Sequence, residues 1–341
     1  MSRERKTSGN PTLADVAKAA DVSAITVSRA LRDPGSVSSQ LRERIESAVR
    51  SIGYVPNSAA RQLASARTDV IAVVIPSLTN AVFADVLTGI YDAAEGTRFQ
   101  IQLGITNYSR LKEQELLRLF VSQRPAAMLI TGSDHGDEVR RLLRGNDCPI
   151  VQIMEVGANP IDMQVGFSHE DAAGAGTRHL LSKGYRRIGF LAGQMDPRTQ
   201  RRLAGYSRVM HEAGRFDEAL IVTSSKPSSV VLGTALCSEL LSRQVDPDAV
   251  QANNDDVALG AMFECQRRRM HIPQDFGIVG FNDLEFMGVA SPSVTSVVTH
   301  RYEMGRKAME MLNDAIAGRR PAQPSIDLGF ELVARQSTAR I

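Results

Sequence analysis

Beyond about residue 68 the sequence alternates between short apolar runs and longer amphipathic segments, and this alternation limits the fold more than any other feature. Apolar runs such as 70–75 predict buried strands, whereas segments such as 111–121 carry apolar residues at helical spacing. Strands that alternate with helices form parallel, doubly wound sheets. The alternation occurs in two blocks of similar length that meet near residue 165. We therefore expect 68–341 to form a two-lobed α/β body, with a ligand cleft between the lobes at the carboxyl ends of the strands.

The same patterns place the individual elements of the body. The predicted strands cover 70–75, 99–105, 127–130, 150–153, 187–191, 220–222, 249–252 and 276–281. The predicted helices cover 83–94, 111–121, 172–181, 203–211, 230–241 and 257–268.

Residues 1–56 show a different pattern, with helical spacing and no strand-like run. Thr12 is placed to cap a first helix, and Asp15 to complete a capping box. A second helix is predicted over about 24–31, and Ser38 is placed to cap a third that ends at Gly53. We therefore expect a small, all-α head in front of the α/β body.

The head is also the basic part of the chain. Residues 1–67 carry 11 Lys and Arg against 6 Asp and Glu, a net charge of +5, and the remainder carries 29 against 32, a net charge of −3. A basic head on a mildly acidic body favours contact with a polyanion, although solvated basic faces are common too.

Two short helices joined by a tight turn are typical of a helix-turn-helix, whose second helix enters the major groove of DNA. Ser23 caps that helix, so that its first turn can face base edges. Ala24 and Ile25 can contact thymine methyl groups. The polar side chains able to donate to bases or phosphates are Thr26, Ser28 and Arg29. An αα-hairpin without DNA contacts remains the alternative for the helix pattern taken alone.

Residues 12–29 resemble the N-terminal head of the lactose-repressor family of bacterial regulators. The family pattern is a T-L-x-D-V-A helix, a V-S turn and a T-V-S-R recognition helix. The matching residues are Thr12-Leu13, Asp15-Val16-Ala17, Val22-Ser23 and Thr26-Val27-Ser28-Arg29. The resemblance implies a homodimeric transcription regulator that binds a pseudo-palindromic operator in double-stranded DNA, with Thr12 among its DNA contacts.

Residues 52–64 are similar to the family's LGYxPN segment and hinge helix. The resemblance assigns 57–67 to a hinge and implies DNA contacts from Asn57, Ala60 and Leu63, with Leu63 wedged between base pairs in the minor groove. This run is too short to be a stable helix alone, so we expect it to order on DNA beside a dimer partner. An ordinary linker or core leucine is the alternative for Leu63.

The body resembles the family's periplasmic-binding-protein-like core, which implies an effector site between its lobes. The implied contacts are Ser77, Asn80, Phe83 and Glu155 from the first block, and Arg202, Asn254, Asp255 and Asn282 from the second. A fixed guanidinium at Arg202 suits a sugar acid, because it forks onto carboxylates and hydroxyls. Asn282 stands where the family usually has an acidic residue.

Each of these residues also has a structural interpretation. Asn254 and Asp255 can simply cap the following helix. Phe83 can belong to the core, and Glu155 can be a solvated loop charge. We interpret His135 and His169 as structural.

Four segments, 77–87, 254–256, 263–267 and 327–330, resemble the gluconate-utilisation repressors of this family. They imply gluconate, or a related sugar acid or its phosphate, as the effector. Induction and corepression both stay open, as does the assembly of dimers into tetramers.

Other classes of protein find little support in the sequence. It lacks a strand-embedded G-x-G-x-x-G, a P-loop and G-x-S-x-G, so we expect no enzyme and no catalytic residues. Three distant cysteines without a CxxC pair and six histidines without HExxH argue against a metal or another cofactor. No long apolar run and no signal-peptide pattern occur, which favours a cytoplasmic protein without a membrane partner. A free-standing sugar-binding protein is the alternative function, and the basic head argues against it.

Overall fold

The computed structural model describes residues 11–32, 34–55 and 68–340, and the chain divides between Thr68 and Asp69 into two compact units. The predicted hinge contacts Asn57, Ala60 and Leu63 lie outside the described residues. Within the described ranges, none of the helices has the length and apolar character needed to cross a membrane.

The described part of the head is helical. Its elements are α1 (Leu13–Ala19), α2 (Ala24–Arg32), a 3-10 turn (Pro34–Ser36) and α3 (Ser39–Ile52). The predicted capping box begins α1: the Asp15 N–H donates to the Thr12 hydroxyl at 3.3 Å, and the Thr12 N–H donates to the Asp15 carboxylate at 2.8 Å. Val16, Val27 and Ile45, one from each helix, are buried in a single small core. This core fixes which face of α2 remains outside.

The body contains two six-stranded sheets, one in each lobe. The strands of the first sheet, in chain order, are β1 (Val70–Ile75), β2 (Gln100–Ile105), β3 (Ala127–Thr131), β4 (Ile150–Ile153), β5 (Met163–Gly166) and β11 (Ser325–Asp327). Those of the second are β6 (Ile188–Ala192), β7 (Ile221–Thr223), β8 (Ala249–Ala252), β9 (Gly277–Asn282), β10 (Thr295–Val298) and β12 (Glu331–Val333).

The spatial order is β11-β5-β4-β3-β1-β2 in the first sheet and β12-β10-β9-β8-β6-β7 in the second. All neighbouring strands run parallel except β10 and β12. The predicted α/β class with doubly wound sheets is therefore confirmed.

Helices cover the faces of both sheets. They are α4 (Val82–Ala94), α5 (Arg110–Ser122), α6 (Asp137–Arg144), α7 (His169–Ser182), α8 (Pro197–Glu212), α9 (Val230–Ser242), α10 (Asp255–Arg267), α11 (Phe286–Val289) and α12 (Arg301–Ile316). Further 3-10 turns cover Glu218–Leu220 and Gln336–Thr338.

The lobes are not two consecutive halves of the sequence, as the two-block pattern suggested. The chain crosses from β5 to α7, returns to the first lobe for α12 and β11, and crosses again to β12. Burial explains the return of α12, since its side chains Met304, Ala308 and Leu312 complete the core beneath α4. The strands missed by the sequence analysis, β5 and β10 to β12, have only three or four residues and little apolar contrast.

Close helix crossings hold each lobe together. A Cβ on Gly89 of α4 would lie 2.1 Å from the Tyr302 carbonyl oxygen, and one on Gly305 of α12 would lie 2.0 Å from the Val86 carbonyl oxygen. The two backbones meet at a distance that only glycine permits, and the returning helix is thereby fixed in place.

Helix α8 begins at Pro197, well before the predicted start at 203. Proline suits the first helical position, and Asp196 caps the helix by accepting the Thr199 N–H at 2.9 Å. The early start places Arg198, Arg201 and Arg202 on the first two turns of the helix.

Candidate effector cavity and DNA-binding face

The face of α2 that was predicted to enter a DNA groove is exposed. Ile25 is 73% exposed, although it is a large apolar residue. The other exposed side chains of this face are Ala24, Ser28 and Arg29. Thr26 is half-buried, and its hydroxyl lies 2.8 Å from that of Ser23, which also accepts the Thr26 N–H at 3.2 Å. The helix therefore presents an apolar contact beside polar donors, as groove readout requires.

Thr12 lies at the exposed start of α1, and its hydroxyl donates to the Asp15 carboxylate at 2.7 Å. Its capping role is therefore visible, and its predicted DNA contact stays a prediction.

In the body, a cavity lies between the lobes at the carboxyl ends of the strands, as the strand polarity predicted. Six of the eight predicted effector residues line it: Ser77, Asn80, Phe83, Arg202, Asn254 and Asn282.

Arg202 projects into this cavity from α8 and is held from three sides. Its Nε donates to Nδ1 of His169 at 3.3 Å, its Nη1 donates to the Asn253 carbonyl, and its guanidinium lies 3.8 Å from the centre of the Phe281 ring. Burial lowers the pKa of Arg202 to about 10, which leaves it charged at neutral pH. Among the described residues, no carboxylate forms an ion pair with it.

His169 is the structural partner that keeps Arg202 in place. Burial, reinforced by the Arg202 charge, holds the pKa of His169 well below its ordinary value. The neutral ring accepts the Arg202 N–H at Nδ1, so its own proton lies on Nε2. His169 is therefore structural, as predicted, and it also positions the Arg202 guanidinium.

A second arginine on the cavity wall, Arg198, is already neutralised. Its Nη2 and Nε donate to the Asp196 carboxylate at 2.6 and 3.2 Å. Burial lowers the pKa of Arg198, but the charge and hydrogen bonds of Asp196, together with Tyr108 and Glu155, outweigh burial and raise it. The guanidinium lies 5.9 Å from the ring centres of both Phe83 and Tyr108. Phe83 is thus both a core residue and a wall of the cavity.

Amides and hydroxyls line the first-lobe side. The Asn80 side chain donates to the Tyr108 hydroxyl at 3.1 Å and accepts the Val82 N–H at 3.2 Å. The Ser77 hydroxyl accepts the N–H groups of Thr79 and Asn80, both at 3.2 Å. These bonds hold the loop after β1 in one shape and fix its polar groups in the cavity wall.

The second-lobe side is built from the ends of β8 and β9. The Asn254 side chain accepts the Val257 N–H at 3.1 Å, so it caps α10 and lines the cavity at once. Asn282 has a left-handed φ of 109°, and its side chain accepts from the Thr299 hydroxyl at 3.5 Å. Strained backbone at an asparagine in a cavity wall is typical of a functional position.

Two predicted contacts lie outside the cavity lining. Asp255 is fully buried and bonded to the Leu284 N–H and the Ser296 hydroxyl, both at 2.7 Å, so it ties α10 to the second sheet. Glu155 is 5% exposed, which rules out a solvated loop charge. It pairs with Arg201 at 2.8 Å and accepts the Ser133 hydroxyl at 2.7 Å.

Sequence reasoning missed several lining residues, including Tyr108, Asp196, Arg198, Ser228 and Asp256. The dipeptide Asp196-Pro197 is a helix-start signal that would have brought Arg198 into the cleft. Ser228 and Asp256 could have been found because they lie just before the predicted helices 230–241 and 257–268, at the same edge of the sheet. Over the described residues, no cluster of His, Cys, Asp or Glu is arranged to hold a metal ion.

Comparisons with known families and proteins agree with this architecture. Residues 12–57 match the bacterial regulatory proteins of the lacI family, and residues 177–338 match the periplasmic binding protein-like domain. The HTH-type transcriptional regulator GntR of Pseudomonas aeruginosa is 38% identical over 98% of each chain.

Two solved structures are also similar to this chain. A LacI-family transcriptional regulator from Silicibacter pomeroyi, 34% identical, has a TM-score of 0.90 and covers 97% of this chain and 100% of its own. The transcription regulator GntR from Chromobacterium violaceum, 38% identical, has a TM-score of 0.76 and covers 79% and 99%.

A head with an exposed recognition face, a two-lobed body with a polar cavity and full-length similarity to known regulators all agree. The chain belongs to the LacI family of bacterial regulatory proteins and is a DNA-binding transcription regulator rather than an enzyme.

Proposed function

We propose that this regulator represses genes of sugar-acid catabolism, and that gluconate or a closely related sugar acid in the interlobe cavity controls its binding to the operator. The observation that supports this proposal most directly is Arg202, a buried cation on the cavity wall without a carboxylate partner among the described residues. A buried charge without a counter-ion is costly, so the site favours an anionic ligand.

The charges on the wall favour a single negative group on the ligand near α8. Arg198 is neutralised by Asp196, which leaves Arg202 as the cation available to an incoming carboxylate. Arginine forks onto carboxylates with two parallel hydrogen bonds, and the bonds to His169 and Asn253 fix its orientation before the ligand arrives.

The size and polarity of the cavity favour a small polyol. Its volume is about 90 Å³. A cavity of this size holds more than one water, so it suits a small polyol better than an extended ligand. Side chains of Asn80, Ser228 and Asn254 can exchange hydrogen bonds with hydroxyl groups.

The choice of gluconate rests on the resemblance to the gluconate-utilisation repressors, and the similarity to two regulators named GntR supports it. We propose induction as the direction of control, because a repressor of catabolic genes should release DNA when its substrate is present.

On the DNA side, a homodimer would place two α2 helices in successive major grooves of a pseudo-palindromic operator in the cytoplasm. The ligand contacts both lobes, so it can bind different lobe arrangements with different affinities. That difference is what control of operator binding requires.

Calorimetry on the full chain tests the proposal with two ligands that differ in one group. Gluconate carries a carboxylate, and sorbitol has the same hydroxyl pattern without one. We expect gluconate to bind and to release an operator duplex selected from a random library, and sorbitol to do neither. Binding of sorbitol with equal affinity would refute the role of the carboxylate.

A variant at Arg202 tests the same point from the protein side. Arg202→Met keeps the aliphatic bulk over Phe281 and should weaken gluconate binding roughly 100-fold, as expected for loss of charge-assisted hydrogen bonds. Operator affinity without ligand should stay near wild type. Arg208→Met on the exposed face of α8 is the matched control and should leave gluconate affinity unchanged.

A further inference from the structure

Asp256 is an acidic side chain on the cavity wall whose carboxylate has no hydrogen-bond or ion-pair partner within the described ranges. It is the second residue of α10 and is half-buried. Burial raises its pKa, and no cation among the described residues opposes that effect. The cavity therefore contains an uncompensated acceptor in addition to the uncompensated cation Arg202.

Ser228 adds a second unsatisfied group on the same side. Its hydroxyl oxygen is buried without a hydrogen-bond partner in the described part of the chain, and the residue lines the same cavity. Ser228 leads into α9, whose first residue Val230 packs against α10, since a Cβ on Gly260 would lie 2.2 Å from the Val230 carbonyl oxygen. Ser228 and Asp256 therefore line the same cavity from the beginnings of two helices that pack together.

A purely structural role explains Asp256 only in part. An acidic residue in the first turn stabilises a helix N-terminus, and Asp255 also lies in that turn. Asp255, however, is fully buried and bonded to the second sheet, whereas Asp256 lines the cavity. Helix stabilisation does not require the carboxylate to face a ligand site.

We propose that Asp256 and Ser228 bind the neutral, hydroxylated end of the effector, and that Asp256 excludes ligands with a second negative charge at that end. The inference rests on the proposed function, because it takes Arg202 as the site of the ligand's carboxylate. The cavity should therefore bind aldonic acids, which carry one carboxylate, more tightly than aldaric acids, which carry a carboxylate at each end. A carboxylate next to unpaired Asp256 is repelled, whereas a hydroxyl donates to it.

Glucarate and gluconate are the probes, because they share the carbon chain and differ at one terminus. On the full chain by calorimetry, we expect the wild type to prefer gluconate by roughly 100-fold. In Asp256→Asn the preference should fall below about 10-fold, mainly because glucarate binds more tightly, since the amide keeps the shape and can donate to a carboxylate. Asp171→Asn removes an exposed first-turn acid from α7 and should leave the preference unchanged.

The outcomes separate this inference from the proposed function. If the wild type binds neither gluconate nor any other aldonate, the proposed function fails and the inference fails with it. If gluconate binds but the preference is the same in Asp256→Asn and the wild type, only the inference fails. Ser228→Ala gives an independent check, because it should weaken gluconate several-fold without improving glucarate. Melting temperatures of Asp256→Asn, Asp171→Asn and Ser228→Ala should match that of the wild type, because a loss of stability would indicate a structural role instead.

Discussion

Replacing Arg201 with methionine should loosen the contact between the two lobes. From α8 in the second lobe, Arg201 donates Nη1 and Nη2 to the two oxygens of Asp134 at 2.6 and 2.7 Å. Its Nε lies 2.8 Å from Glu155. Both carboxylates belong to the first lobe, on the segments after β3 and β4. These ion pairs therefore exist only while the lobes keep this arrangement.

The size of the effect follows from the geometry and the exposure. At ~4 Å between charge centres and an effective dielectric constant of ~20, one pair has an attraction of ~4 kcal/mol. Desolvation offsets much of this, since Glu155 is 5% exposed, and water screens the rest, since Arg201 and Asp134 are 34% and 33% exposed. We expect a net contribution of ~1–2 kcal/mol, which changes the equilibrium between lobe arrangements by roughly 5- to 30-fold.

Distance measurements between spin labels can detect this change without a ligand. Lys112 and Arg215 are exposed, one in each lobe, and the three native cysteines are buried, so Lys112→Cys and Arg215→Cys provide selective labelling sites. Arg201→Met should broaden the interlobe distance distribution, and gluconate affinity should fall by no more than the same factor. Arg208→Met breaks ion pairs within the second lobe and serves as the control.

A double-mutant cycle gives the decisive number. Combining Arg201→Met with Glu155→Gln should reveal a coupling energy near 1 kcal/mol in the free energy of unfolding. A coupling below ~0.3 kcal/mol, together with an unchanged distance distribution, would refute the view that this cluster holds the lobes together.

Three further predictions concern the head, the α10 start and the helix crossing. Ile25→Ser should weaken binding to a specific operator about 10-fold. The salt dependence of binding and the melting temperature should not change, because Ile25 is apolar and 73% exposed. Fluorescence anisotropy over a salt series measures this, and a changed salt slope would contradict the prediction. Burial raises the pKa of Asp255 from 3.8 to about 7, so the folded state favours the protonated carboxyl group. The stabilisation from this protonation is fully present below pH 3.8 and is lost as the pH rises through about 7. The wild type should therefore lose up to ~4 kcal/mol of unfolding free energy relative to Asp255→Asn as pH rises over that window, and urea titrations showing a pH-independent difference would disprove the assignment. Gly89→Ala should lower the unfolding free energy by ~3 kcal/mol through overpacking against Tyr302, whereas Gly288→Ala, in open space, should be nearly neutral in the same assay.

Much of the architecture was readable from local patterns. Caps such as Thr12 and Ser38 act within one helical turn, and strand-like runs such as 127–130 are buried whatever their neighbours. The recognition face of α2 could be predicted for the same reason, because the Ser23 cap places Ile25 in the first turn of the helix, where it is exposed. The cavity's position followed from strand polarity alone.

Local patterns therefore suffice to predict the two kinds of domain and the recognition helix, and the resemblance to the family adds six side chains of the cavity wall. The use of the remaining charges depends on long-range packing. Glu155, Arg201 and Asp134 are far apart in sequence, and folding turns them into a contact between lobes. Asp255 and Asp256 are adjacent, yet successive helical residues point in directions about 100° apart. One is consequently buried against the sheet and the other faces the cavity, which is a distinction that packing makes and composition cannot.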